Sequence, residues 1–292
     1  MLDKNTQWVV LTGCSSGIGL TTTKILIEEG FNVIATARQP DTIGLANHER
    51  LRTHQLDVTD EISIDEFIAW ITRQELKIGA LINNAGILRM GSTLTIPMEQ
   101  IRQMFEINVF GSLQMIRKML PLLQANRGRI INISSDSGLS TQPYTTIYSM
   151  SKYAIESLTE GLYYELKELK SNTVDICMIE PGNIATSIME KALEQMTTTT
   201  EIPTELQTQI KQKLEQSTAA FKNSRSPEYI SNRIVTLLLE EEVNLRYFAG
   251  TADETKYAIQ SLLEQVHQIN QSSAFGLSRE ELQKEFKFIT NL

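Results

Sequence analysis

Cysteine is nearly absent from this 292-residue chain. Cys14 and Cys177 are the only two, far apart and without metal-ligand spacing, so neither a disulfide framework nor a thiolate metal site organises the fold. His48, His54 and His267 form no H-x-x-x-H or H-E-x-x-H pattern, which argues against a helical zinc site. Positive charge is also in deficit, with 27 Lys and Arg against 35 Asp and Glu and a formal net charge of −8. General binding to nucleic acid needs a basic surface and is disfavoured, whereas local backbone amides and one or two arginines can still hold an anionic small ligand. No apolar run approaches the roughly 18 to 20 residues that span a bilayer. The first residues, Met1 to Trp8, lack a basic region followed by an apolar core. Two reduced thiols and no export signal read as a cytoplasmic protein. No linker, internal repeat or low-complexity tract divides the chain, and a hydrophobic fraction of 41% with 21% charged residues is ordinary for a globular protein.

What is present begins with a short apolar run, Trp8 to Leu11, that reads as a buried strand. It leads into Thr12-Gly-Cys-Ser-Ser-Gly-Ile-Gly19. Gly13, Gly17 and Gly19 permit a tight turn and close approach of a ligand, and a helix starting near Ile18 offers unpaired N–H groups to a pyrophosphate. A purely structural glycine turn is the rival reading. After a helix from Leu20 to Glu29, Phe31 to Ala37 forms a second strand and completes a βαβ unit. Its end carries Ala37 and Arg38 where an NAD-selective site places a carboxylate for the ribose 2′-OH. A guanidinium without that carboxylate suits a 2′-phosphate, hence NADP, although an arginine after a strand can equally be merely solvated.

Thr53 to Leu56 predicts a third strand ending at Asp57 and Val58. The Asp57 carboxylate either accepts from an adenine amino group or caps the helix that begins near Glu61 and runs to about Lys77. Ala80 to Ile82 is a short buried strand running into Asn83-Asn-Ala-Gly86. From Met98 to about Gln124 apolar residues recur at helical spacing, interrupted by Asn108, which must find partners, with Gly111 weakening the helix beside it. Arg129 to Ile133 delivers Ser134 and Ser135 to a strand end, where open α/β sheets bind ligands. The next helix, about Ile147 to Leu169, carries Tyr148 and Lys152 four residues apart on one face. A fixed ammonium there favours the phenolate and makes Tyr148 usable for proton exchange. Val174 to Ile179 is a sixth strand, followed by the Pro181-Gly182 loop.

T-G-x-x-x-G-x-G at Thr12 to Gly19, N-N-A-G at Asn83 to Gly86, Asn108, Ser135, Y-x-x-x-K at Tyr148 and Lys152, and P-G at Pro181 together resemble the short-chain dehydrogenase/reductase family. The motifs cover roughly residues 5 to 186, and the element order continues to about 250. The flavour is similar to the hydroxysteroid and retinol dehydrogenase-like members. The resemblance implies an α/β, Rossmann-type doubly wound parallel sheet of about seven strands in a single domain over 1–292. Within it, 5–186 is the cofactor and catalytic core, 187–225 a helical substrate lid and 251–292 a C-terminal helical extension.

It further implies NADP(H), with NAD(H) as the lesser cofactor, and hydride transfer to or from a carbonyl or alcohol carbon of an apolar substrate such as a steroid, retinoid, long-chain aldehyde or ketone. Tyr148 is then the proton donor and acceptor, and Lys152 binds the nicotinamide-ribose hydroxyls and lowers the phenol's pKa. Ser135 holds the substrate oxygen, in preference to Ser134 because it precedes Tyr148 by thirteen residues, and Asn108 holds a relay water. The expected cofactor contacts are Gly13, Ser15, Ser16, Gly17, Ile18, Gly19, Arg38, Asp57, Val58, Asn84, Ala85, Gly86, Tyr148, Lys152, Pro181, Gly182, Ile184 and Thr186. Ser16 stands where some NADP-dependent members have a basic residue, so Arg38 carries the preference. A homodimer follows by the same analogy.

The rival readings are a dinucleotide-binding regulator or scaffold with little turnover, and isomerisation or dehydration at the same site. Met189, Leu193, Met196, Ile210, Leu214 and Phe221 are candidates for an apolar pocket, on helices from Ser187 to Gln195 and Glu205 to Gln216. A last helix after Pro227 and an edge strand at Leu245 to Ala249 follow. Ile259, Leu262, Leu263, Val266 and Ile269 give the tail an amphipathic stripe, expected to be covered by packing on the domain, with the substrate entrance, a dimer interface or a membrane surface as the other readings.

Overall fold

The computed structural model describes residues 2–169, 171–196, 208–209, 224–273 and 276–290. They fall into two compact units, Met1–Gly250 and Thr251–Leu292.

In the first unit the strands are β1 (Gln7–Leu11), β2 (Asn32–Ala37), β3 (Leu51–Gln55), β4 (Lys77–Asn83), β5 (Arg129–Ile133), β6 (Asp175–Pro181) and β7 (Arg246–Ala249). Its helices are α1 (Gly17–Glu28), α2 (Glu61–Arg73), α3 (Met98–Phe105), α4 (Gly111–Ala125), α5 (Thr146–Glu168), α6 (Ser187–Met196) and α7 (Pro227–Leu239). The strands make one parallel sheet in the order β3-β2-β1-β4-β5-β6-β7. The chain reverses its direction across the sheet between β1 and β4, which opens a crevice at the strands' carboxyl ends.

Burial on both faces explains why the inner strands read as unbroken apolar runs. Val9 and Leu11 pack with Leu26, Ile230 and Ile234 on the α1 and α7 side, while Val10 faces Phe67, Ile71, Met115 and Met119 of α2 and α4. Each fully buried side chain of this kind contributes about 1.5–3 kcal/mol. Arg129 ties the last turn of α7 to the sheet, donating to the carbonyls of Leu237 and Glu240 and pairing with Asp175; a cation satisfying helix C-terminal carbonyls is the expected partner there.

Three local outcomes differ from the sequence reading. β3 ends at Gln55, before Leu56 and Asp57. Asp60, not Asp57, caps α2 by accepting from the Ile62 N–H, while the Asp57 carboxylate accepts from the N–H and hydroxyl of Thr59. The long helix expected from Met98 onward is interrupted by a π-helical turn at Glu106–Phe110 that leaves Asn108 buried. A single wide turn of this kind places a side chain that regular 3.6-residue spacing would not.

Gly111 begins α4 for a packing reason rather than to loosen the helix. A Cβ at this position would sit 2.7 Å from Val58 Cγ2 and 3.0 Å from the Val58 carbonyl oxygen. Gly111→Ala should therefore cost about 1–3 kcal/mol through overpacking. A lower urea midpoint with an unchanged slope is the expected reading, and an unchanged midpoint contradicts the contact.

The second unit contains α8 (Ala252–Ser272) and α9 (Arg279–Thr290). Thr251 and Glu254 form a reciprocal capping box at the start of α8. Ile259, Leu262, Leu263, Val266 and Ile269 lie on this helix, and all five are exposed. Among the described residues no helix is long and apolar enough to cross a membrane.

Candidate active site

The crevice is a cleft of about 940 Å³, at the upper end of the range for small-molecule sites. The turn after β1 forms its floor. Gly13 and Gly17 have φ of +73° and +56°, values that favour glycine. A Cβ on Gly13 would lie 2.8 Å from Ala85 Cα, and one on Gly17 3.2 Å from the side chain of Thr186. The cap residue of α1, Ser16, makes no side-chain cap bond and the first turn carries no acidic residue. The helix thus presents its N–H groups and positive dipole end without a competing carboxylate, which suits a pyrophosphate.

The loop after β4 locks this turn in place. Asn84 Nδ2 donates to the carbonyls of Thr12 at 2.8 Å and Gly13 at 3.1 Å, while Thr12 Oγ1 accepts from the N–H groups of Asn84 and Ala85. Asn83 acts on the sheet instead, donating to Asn132 Oδ1. Ser15, Ser16, Ile18, Arg38, Asp57, Val58, Ala85 and Gly86 line the same half of the cleft, and Pro181, Gly182, Ile184 and Thr186 line it from beyond β6.

Gly19 and Asn108 do not line the cleft. Gly19 packs α1 onto the turn, since a Cβ there would fall 2.3 Å from the Gly13 carbonyl oxygen and 2.6 Å from Asn84 Nδ2. Asn108 braces the loop after β4 and helix α5 from behind. Its Oδ1 accepts from the Ile87 N–H at 2.8 Å, and its Nδ2 donates to the Ile87 carbonyl at 2.9 Å and to Ser151 Oγ at 3.0 Å. Both amide hydrogens of the side chain expected to hold a relay water are committed to protein groups. Ser151 in turn donates to the Tyr148 carbonyl at 2.7 Å. This fully buried serine was missed from sequence, though a polar residue in the core stripe of α5 was the signal for it.

α5 brings Tyr148 and Lys152 to the cleft beside Ser135, which follows β5 by two residues. Lys152 Nζ lies 5.6 Å from the centroid of the Tyr148 ring and donates to the Ile133 carbonyl at 2.9 Å. Burial pulls the lysine down to about 8, with Glu156 opposing it. Burial also raises the Tyr148 phenol above its ordinary value; the neighbouring Ser135 hydroxyl works against this, and the charge of Asp136 adds to it. Desolvation therefore outweighs the lowering expected from the ammonium. Ser135 is itself held in place, donating to Asp136 Oδ1 at 2.9 Å and accepting from the Ser137 N–H at 3.1 Å.

Behind Lys152 lies a charge cluster that sequence reasoning did not find. Glu156, one turn further along α5, and Glu180 on β6 are buried, and both bond Arg246 Nη1 from β7, while Glu160 bonds Nη2 at 2.9 Å. Burial and the neighbouring Glu180 carboxylate raise the Glu156 pKa, and Arg246 offsets part of that rise. One wall of the cleft beside Tyr148 is apolar. Leu88, Met90 and Ala192 are buried there against Tyr144, Tyr148, Ile188 and Met189. Met189 was expected in this wall. The side chains of Leu193 and Met196, all of Ile210, Leu214 and Phe221, and the helix from Glu205 to Gln216 apart from residues 208–209 lie outside the described residues.

A doubly wound parallel sheet with a glycine turn at its switch point and a tyrosine–lysine pair beside it defines a dinucleotide-dependent oxidoreductase. Residues 7–197 match the short chain dehydrogenase family. The chain is 32% identical over 268 residues to the uncharacterized oxidoreductase YusZ of Bacillus subtilis, a match covering 88% of this chain and 94% of that protein. It belongs to the short-chain dehydrogenase/reductase family and is an NAD(P)-dependent dehydrogenase or reductase. The NADPH-dependent 3-dehydrocapnine reductase of Ornithobacterium rhinotracheale is 35% identical over 196 residues, 64% of this chain and 68% of that protein. A short chain dehydrogenase/reductase of Burkholderia phymatum, solved in complex with NAD, shares the fold with a TM-score of 0.74 at 22% identity, covering 95% of this chain and 99% of that one.

Proposed function

We propose that this protein is an NADP(H)-dependent oxidoreductase that interconverts a carbonyl and a primary or secondary alcohol on an apolar substrate, with Tyr148 giving and taking the proton. The observation that carries this reading is the convergence of Tyr148, Ser135 and Lys152 on one cleft whose floor is the glycine turn. Nicotinamide, when bound, supplies or accepts the hydride. Tyr148 Oη exchanges a proton with the substrate oxygen, and Ser135 Oγ orients that oxygen. Lys152 has three N–H donors, of which one goes to Ile133. The other two are available for ribose hydroxyls, and the charge favours the phenolate as the proton leaves. Asn108 is a positioning residue, fixing the Ile87 loop and, through Ser151, the backbone of Tyr148. The apolar wall around Leu88, Met90 and Met189 supports an apolar substrate and excludes water from the proton exchange.

Arg38 follows β2, lines the cleft and is exposed, in keeping with a 2′-phosphate contact and hence with NADP. Asp57 and Val58, in the same half, fit the adenine end. Exposed Met150, Tyr153 and Tyr164 fall at helical spacing on α5 and support a homodimer formed through that helix. Cys14 and Cys177 are both free and buried, in keeping with a reducing cytoplasm.

Calorimetric titration with NADPH and NADH tests the cofactor assignment. Wild type should bind NADPH about tenfold or more tightly than NADH, and Arg38→Ala should erase that difference by removing a charge-assisted contact. Equal binding of both, untouched by the substitution, sinks the NADP assignment.

A further inference from the structure

The half of the cleft that meets Tyr148 contains a partly buried cation for which neither the catalytic roles nor the cofactor gives a use. Arg89 lies between the buried Leu88 and Met90, lines the cleft and is itself half-buried. Its guanidinium donates to the Leu88 carbonyl at 3.4 Å and to Gln103 Oε1 at 3.2 Å. Both acceptors are neutral, and both distances are long for a charge-assisted bond. Among the described residues no carboxylate lies within ion-pair distance of Arg89, whereas the partly or wholly buried Arg129 and Arg246 have Asp175 and a trio of glutamates respectively. Burial alone lowers the Arg89 pKa, with no neighbouring charge opposing it. Drawing a cation from water without a counter-charge is costly, and the cost is recovered when a ligand brings the counter-charge.

The other charged groups on this side do not fill that role. Glu106 and Lys191 are exposed, where water screens them, and the Asp136 carboxylate accepts from the hydroxyls of Ser135 and Ser137. The phosphates of a dinucleotide are placed elsewhere by the same geometry. The glycine turn follows β1 and Arg38 follows β2, whereas Arg89 follows β4, two positions across the sheet from β2, with both its chain neighbours packed in the Tyr148 cluster.

We infer that Arg89 receives an oxyanion of the substrate, a carboxylate, sulfonate or phosphate, while the apolar part of the same molecule lies against Leu88, Met90 and Met189. The substrate is then an anionic amphiphile rather than a neutral one. This inference rests on the reading of the cleft as the oxidoreductase site and sharpens its substrate class.

Calorimetry on the NADPH complex with hexanoate and hexanamide, which share a chain and differ in charge, tests it without requiring turnover. Wild type should bind hexanoate about tenfold or more tightly than hexanamide. Arg89→Met, which keeps an unbranched apolar stem and removes the charge, should abolish the difference. Hexanoate bound no tighter than hexanamide, binding of neither, or a preference that survives in Arg89→Met overturns the inference. Turnover separates it from the reading on which it rests. NADPH consumption by wild type with neutral ketones sustains the oxidoreductase whether or not Arg89 reads an anion. A hexanoate preference lost in Arg89→Met, with no NADPH consumption on any carbonyl, leaves the anion site standing and removes the reductase.

Discussion

Tyr148→Phe should lower kcat for carbonyl reduction by about 10²–10⁴-fold, the range over which a positioned general acid acts. The ring is kept, so the packing against Leu88, Met90 and Ile188 is retained and only Oη is lost. NADPH affinity should fall by less than about tenfold, because a single neutral hydrogen bond contributes about 0.5–1.5 kcal/mol. Steady-state rates combined with calorimetric binding separate the two quantities. A variant that keeps kcat within a few fold of wild type would assign the proton to another group. Burial, which raises the Tyr148 pKa, keeps the phenol protonated at neutral pH but makes it a weaker acid, so the Lys152 charge has to assist proton donation in reduction. In the oxidative direction the same burial opposes ionisation, and Lys152 has its largest effect there.

Lys152→Met should reduce kcat/KM by about 10²-fold at neutral pH through loss of an oriented, partly desolvated charge, and the deficit should depend on pH with a defined sign. Burial brings the lysine down to about 8. Below that value the wild-type side chain is an ammonium that favours the phenolate and donates to ligand hydroxyls. Above it the side chain is a neutral amine, and its electrostatic contribution disappears. The difference between wild type and Lys152→Met should therefore be full below about pH 8 and shrink above it. The pH profile of kcat/KM should show a basic limb in wild type that is missing from the variant. A constant ratio across that range would mean that the lysine acts by packing or by its hydrogen bond to Ile133 alone.

How much of this was legible in the chain depends on the residue. β1, β4 and β5 read directly because both their faces are buried, leaving apolar runs bounded by polar turns. β3 was displaced because it lies at the sheet edge with Leu51 as its only buried residue, so its composition carries little strand signal. The π turn at Glu106–Phe110 was hidden by a regular apolar stripe on either side, and Asn108 in that stripe was its only trace.

Motif order brought the glycine turn, Ser135, Tyr148 and Lys152 together, yet it assigned Gly19 and Asn108 to a surface that they support from behind. Both are set by close packing and hydrogen bonding between segments distant in sequence, which no local pattern encodes. The charge cluster was invisible for the opposite reason. A glutamate on a helix ordinarily reads as a solvated face, and the partner that permits burial of Glu156 is Arg246, ninety residues away. Leu88, Arg89 and Met90 belong to an irregular loop, where hydrophobic periodicity has no meaning.

The most direct measurement is a single-turnover reaction of the NADPH-loaded protein with a panel of apolar aldehydes and ketones, following loss of the reduced nicotinamide and recovery of the alcohol product. The account predicts one alcohol formed per NADPH consumed in wild type, with both signals slowed together by orders of magnitude in Tyr148→Phe. NADPH that binds tightly but is oxidised by no carbonyl, or oxidised equally fast by wild type and Tyr148→Phe, would contradict it.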